Sequence, residues 1–226
     1  MRLLLIRHGQ TIDNVHGALG TVVPGPGLTP LGLEQAAAVP AALAEERIDA
    51  IAVSTMRRTH LTAAPLAAAT GLEPVVTEGL QEITAGDLEG RSDGEAVRTY
   101  LGTVLSWWTD FSARMPGGES GLEFFGRYDA AIAGLAAAHP EGTVAVFSHG
   151  AAIRTWASWS SANIDADFSR GHGLENTGIL VLEGSPEAGW TCLSWQGMPL
   201  GGPALDDPAA PDPTGEQLAD ADADGR

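Results

Sequence analysis

Short apolar runs alternate with longer alanine-rich stretches along most of the chain. The runs are Leu3–Ile6, Ala50–Ser54, Glu73–Val76, Thr143–Phe147, Gly178–Leu182 and Trp190–Trp195. The clearest are apolar throughout, the pattern of strands covered on both faces. Between them the spacing predicts a helix from about Pro30 to Glu46, with Thr29 as N-cap and Pro30 in its first turn. A second runs from about Arg58 to Thr70 and stops at Gly71. Helical periodicity returns around Glu95–Trp108, Leu122–Ala138 and Ala151–Ser160. Strands alternating with helices predict an α/β layered fold with a mostly parallel sheet.

The pattern breaks down from Pro199 onward. The last 28 residues hold five prolines, six aspartates, Glu216 and a single base, Arg226. So few apolar residues offset little ordering entropy, which predicts a catalytic body over residues 1–198 and a flexible acidic tail over 199–226.

Composition narrows the function. Acids number 29 and bases 12, for a net charge of −17, and all twelve bases are arginine. Without clustered positive charge, neither nucleic acid nor an anionic membrane surface is an expected partner. The lone cysteine, Cys192, rules out an internal disulfide and a cysteine-rich zinc site, and fits a reducing cytoplasm. The four apolar residues Leu3–Ile6 are too few for a signal peptide, and no apolar run approaches the length of a bilayer span. The expected protein is cytoplasmic, a monomer or homodimer.

In open α/β sheets ligands bind beyond the carboxyl ends of the strands. Leu3–Ile6 leads into Arg7-His8-Gly9, Ala50–Val53 into Ser54-Thr55-Met56-Arg57-Arg58, and Thr143–Phe147 into Ser148-His149-Gly150. The segment after Glu73–Val76 brings Glu82. If these strands are neighbours, two histidines, two or three arginines and a glutamate meet on one rim. Arginines offer fixed, always-charged donors to phosphate oxygens. A histidine with its ordinary pKa near 6.5 is largely neutral at pH 7 and nucleophilic. A carboxylic acid protonates a departing alkoxide. Together they describe phosphoryl transfer through a phosphohistidine, with no metal or cofactor required.

These residues also resemble a known family. Leu5-Ile6-Arg7-His8-Gly9-Gln10-Thr11, with Asn14, is similar to the signature of the histidine phosphatase superfamily, the phosphoglycerate-mutase-like clan. Further matches follow in order: Leu28-Thr29-Pro30-Leu31-Gly32 with Gln35-Ala36, Ser54 to Arg58 with Thr62-Ala63, and Leu80-Gln81-Glu82 with Gly86 and Glu89-Gly90. Pro116 to Ser120 and Ser148-His149-Gly150 complete the set. The resemblance implies a three-layer sandwich with helices on both faces of the sheet, and a lid over residues 91–128. It implies His8 as nucleophile and Glu82 as proton donor. Arg7, Arg58 and His149 would hold phosphate oxygens, with Asn14, Thr11 and Gly150 contributing to binding. The implied reaction is hydrolysis of a small phosphate monoester. A cofactor-dependent mutase uses the same residues, but its acid motif lies farther from the second histidine than Glu82 lies from His149. A phospholigand-binding pseudoenzyme would be expected to lack His8 or Glu82. Leu88 stands where the family commonly has an aromatic residue and Thr59 where it has alanine, which bears on subfamily rather than chemistry.

Neighbouring residues compete for some of these roles. Spacing from Ser54 favours Arg58 over Arg57, and the motif favours Glu82 over Glu78 and Glu89. Ser148 sits too close to His149 in sequence for the histidine to serve it as a base. His16, His60, His139 and His172 read as surface or packing residues. Glu119 reads equally as a helix N-terminal carboxylate or a group that organises the site. Trp107, Trp108, Phe111, Phe124 and Phe125 read as helix packing, with one or two near substrate.

Overall fold

The computed structural model describes residues 1–215. In chain order the elements are β1 (Arg2–Arg7), α1 (Ile12–His16), α2 (Pro30–Ala42), β2 (Ala50–Val53), α3 (Arg57–Thr70) and β3 (Val75–Val76). There follow α4 (Gly94–Ser106), α5 (Gly121–Ala138), β4 (Thr143–Ser148), α6 (Gly150–Ser160), α7 (Ala166–Gly171), β5 (Ile179–Ser185) and β6 (Gly189–Gln196). All six predicted strands form, and they build one sheet in the order β3-β2-β4-β1-β5-β6. β3, β2, β4 and β1 run parallel, while β5 and β6 are antiparallel additions.

Alternation along the strands explains their unbroken apolar character. Leu3, Leu5, Val144, Val146, Leu180 and Leu182 face a core shared with α4, α5 and α6. Leu4, Ile6, Ile51, Val53, Ala145 and Phe147 face a second core under α2 and α3. Both faces of the central strands β2, β4, β1 and β5 are therefore largely dry, giving the three layers expected, while Val75 and Val76 of the edge strand β3 are exposed. Among the described residues no helix is long and apolar enough to cross a membrane.

The predicted caps are in place. Thr29 accepts from the Gly32 N–H at 3.0 Å, and Gly71 ends α3 in the left-handed conformation, φ 73°. α2 stops at Ala42, short of the expected Glu46, whose carboxylate instead pairs with Arg2 at 2.9 Å.

The expectation of a flexible tail needs correction over residues 199–215. Leu200 is buried against the second core, and Pro203–Leu205 forms a single 3₁₀ turn. Beyond it Asp212 and Thr214 are buried. Beyond Leu200, polar pairing rather than apolar area holds this stretch down, which composition alone does not register. Residues 216–226, the rest of the expected tail, lie outside the described residues.

Candidate active site

Parallel pairing of β1 with β4 and of β4 with β2 brings three carboxyl ends side by side. Arg7 pairs with Ser148 in register, and Val53 with Phe147. The residues that leave these strands therefore meet: His8 donates its backbone N–H to the Ser148 carbonyl at 3.1 Å, and Ser54 to that of Phe147 at 3.2 Å. The imidazoles of His8 and His149 lie 5.2 Å apart, centroid to centroid. Arg7, His8, Asn14, Arg58, Glu82 and His149 are all buried, whereas Arg57 is exposed.

His8 directs Nδ1 to its neighbour's carbonyl, Gly9 O, at 2.8 Å. A carbonyl only accepts, so the proton resides on Nδ1 and Nε2 keeps its lone pair. Burial, then the positive charges of Arg58 and Arg7, hold the His8 pKa well below 6.5, which keeps the ring neutral. The backbone behind it is fixed by Thr177 N–H and Asn176 Nδ2, both donating to His8 O at 3.3 and 3.1 Å. Thr177 holds φ at 58°, a costly conformation for a β-branched residue and one that neighbouring contacts must sustain.

Two arginine donors near His8 have no protein partner among the described residues: Arg7 Nε and Arg58 Nη1, both buried. The other nitrogens are tied down. Arg58 donates from Nε to His149 at 3.2 Å and from Nη2 to Gly20 O at 3.1 Å. Arg7 donates from Nη1 to Leu174 O at 2.7 Å, and from Nη2 to Asp212 and to Thr214 Oγ1. Buried donors left open beside two fixed cationic groups suit an anion with several acceptor oxygens.

Glu82 lies against the start of α6. Its Oε1 accepts from Ile83 and Ala152 N–H at 2.9 and 2.8 Å, and Oε2 from Ala151 N–H at 3.2 Å. Burial raises its pKa above the ordinary carboxyl value, against the lowering effect of these donors and of Arg58. Oε2, with one long bond, is the oxygen left to carry a proton.

The supporting residues are more numerous than the motifs suggested. Thr11 and Asn14 bond each other as the capping box of α1. Gly150 lies so close to Arg7 that a Cβ would stand 2.9 Å from Nε and 2.5 Å from Thr214 O. Glu89, a rival for the acid role, instead accepts from the backbone N–H of Thr21 and Val22, fixing the loop that carries Gly20. Ser148 donates its hydroxyl to Leu80 O at 2.7 Å, so it is no nucleophile. Glu119 takes Arg127 with both oxygens, at 2.7 and 2.8 Å. Arg127 in turn donates to the carbonyls of Gly79, Gln81 and Glu82. Ser54, noted only within a motif, receives His149 at 2.8 Å. Trp107, Phe124 and Phe125 are core, while Trp108 and Phe111 gather on Trp159, which the sequence reading passed over. A groove along β3 and α5, lined by neither His8 nor His149, is bordered mainly by small and apolar residues.

Similarity to known proteins bears on this arrangement. The PE-PGRS family protein PE_PGRS11 of Mycobacterium tuberculosis H37Rv is 37% identical over 216 residues, covering 88% of this chain and 37% of that protein. Glucosyl-3-phosphoglycerate phosphatase of M. tuberculosis CDC 1551 is 34% identical over 144 residues, 62% of each protein. The chain thus spans less than two thirds of the length of either relative. A solved structure of mycobacterial glucosyl-3-phosphoglycerate phosphatase with VO3 superimposes with a TM-score of 0.73 at 28% identity, over 87% of this chain and 99% of that one. The family model of the histidine phosphatase superfamily (branch 1) matches residues 3–197, and the chain belongs to that family.

Proposed function

We propose that the protein is a phosphomonoesterase working through a phosphohistidine on His8, with no metal in the reaction. The observation that carries this is the neutral, buried His8 with Nε2 free, beside unpartnered donors on Arg7 and Arg58. The His8 Nε2 lone pair attacks phosphorus, and the bond from phosphorus to the ester oxygen breaks. Glu82 gives its proton to that oxygen as it leaves. The resulting Glu82 carboxylate then removes a proton from water, whose oxygen attacks phosphorus. The bond to Nε2 breaks, inorganic phosphate departs and His8 is restored. Arg7 and Arg58 stabilise the charge on the transferring group, usually the largest contribution in such a site.

Relatives that act on small phosphorylated metabolites support a substrate of that class, with a phosphorylated glycerate derivative the first to try. The deciding experiment is phosphate release in excess chelator from p-nitrophenyl phosphate, 3-phosphoglycerate and glucosyl-3-phosphoglycerate, by wild type and His8→Ala. Release by wild type alone is expected. Conversion of 3-phosphoglycerate to its isomer without release would make the protein a mutase. Turnover retained in His8→Ala would remove His8 as nucleophile.

A further inference from the structure

Arg7 is completely buried, and its Nη2 is held by groups from residues 212–214. Asp212 and Thr214 Oγ1 both accept from Nη2, and Leu174, tied to the same segment, accepts from Nη1. Leu174 N–H donates to Gly215 O at 2.8 Å, and Thr214 Oγ1 donates to Asp212 Oδ1 at 3.0 Å. A Cβ on Gly215 would overlap Arg7 Nη1, so the segment is pressed directly onto the guanidinium. Two further polar bonds anchor the approach. Gln10 Nε2 donates to Asp207 Oδ2 at 2.8 Å, and Gln35 Nε2 donates to Leu205 O at 2.8 Å. Residues 205–215 are thus pinned at successive points to Gln35, Gln10 and Arg7.

A guanidinium sealed from water needs a counter-charge and filled donors, or it distorts its surroundings to find them. The buried Asp212 carboxylate supplies the charge. It binds at Nη2 while Nε stays open. Nη1 and Nη2 are thus filled by the protein, and among the described residues Nε–H is the donor left for a substrate oxygen.

We propose that Asp212 is a positioning residue for Arg7, and that residues 205–215 are part of the catalytic site. This rests on the phosphoryl-transfer reading of Arg7. The test compares wild type with Asp212→Ala, Asp212→Asn and Asp212→Glu. It reads kcat and KM on p-nitrophenyl phosphate, Ki for inorganic phosphate, and the ¹⁵N-arginine spectrum, with Arg7→Lys assigning the Arg7 Nε–H signal. Asp212→Ala is expected to lower kcat/KM roughly 10- to 100-fold, the scale of a charge-assisted hydrogen bond. KM and the phosphate Ki should rise together, and the Arg7 signal should broaden or shift. Asp212→Glu should recover part of each. Wild-type kinetics and an unmoved Arg7 signal in Asp212→Ala, with only a lower Tm, would reduce the contact to a structural one. Faster turnover would make the carboxylate an obstruction, and either result overturns the proposal. If wild type itself released no phosphate, the hydrolase reading would fail alone, and the Arg7 signal would still decide whether Asp212 positions Arg7.

Discussion

Arg58 and His149 are joined through Nε and Nδ1 at 3.2 Å, and this bond fixes the tautomer of the imidazole. An arginine Nε offers only a proton, so Nδ1 accepts and the ring proton sits on Nε2. There it is donated to Ser54 Oγ at 2.8 Å. Burial, with Arg58 the largest neighbouring charge, keeps the His149 pKa well below 6.5 and preserves that arrangement. Both nitrogens are then engaged by protein groups, and the bond from Nε holds the Arg58 guanidinium in place.

Ser54→Ala removes the acceptor that holds the His149 proton on Nε2. The expected result is a fall in kcat/KM of roughly 2- to 10-fold, the net worth of one hydrogen bond at about 0.5–1.5 kcal/mol. Steady-state kinetics on p-nitrophenyl phosphate measures it. An unchanged rate would mean that Arg58 is aimed without His149.

The pH profile of kcat/KM follows from two opposite shifts. His8 must be neutral, and its pKa is lowered, so activity is present at mildly acidic pH and is lost as pH falls through that lowered value. Glu82 must be protonated, and its pKa is raised, so activity is lost as pH climbs through that raised value. A bell is expected whose acidic limb lies below 6.5. An acidic limb above 6.5 would contradict a neutral His8 at the centre of the site.

Leaving-group dependence isolates Glu82. Nitrophenolate departs with little help, whereas an alkoxide needs a proton in the transition state. Glu82→Gln is expected to slow alkyl phosphate hydrolysis by roughly 10²- to 10⁴-fold and p-nitrophenyl phosphate far less. Kinetics on both substrates checks this, and equal slowing would take Glu82 out of the acid role.

The sheet and the meeting of the histidines were legible because each rests on local signals. Apolar runs mark strands buried on both faces, and the strand ends carry Arg7, His8 and His149 within a residue or two. Spacing from Ser54 also separated buried Arg58 from exposed Arg57. α1 was not legible: its five residues are too few for a helical period, and its signal is the Thr11–Asn14 capping box. Residues 199–215 were misread for a related reason. Their order comes from pairings such as Arg7 with Asp212 and Gln10 with Asp207, about 200 positions apart in sequence, which no window of the chain contains.

The Glu119–Arg127 pair should matter for both stability and rate, because Arg127 gathers three carbonyls of the loop that carries Glu82. Its side chain is 23% exposed and that of Glu119 only 11%, so breaking the pair strands a largely desolvated charge. Arg127→Ala is expected to cost on the order of 3 kcal/mol, toward the low end for a buried pair because water still reaches the arginine. For a chain of this length that lowers Tm by roughly 6–12 °C. Arg127→Lys keeps the charge but loses the planar fork, so it should recover part of the Tm and less of kcat, since one ammonium does not hold three carbonyls and a bidentate carboxylate together. Calorimetry and kinetics on an alkyl phosphate measure the two effects. Loss of Tm with wild-type kcat at low temperature would show that the Glu82 loop keeps its place without the arginine.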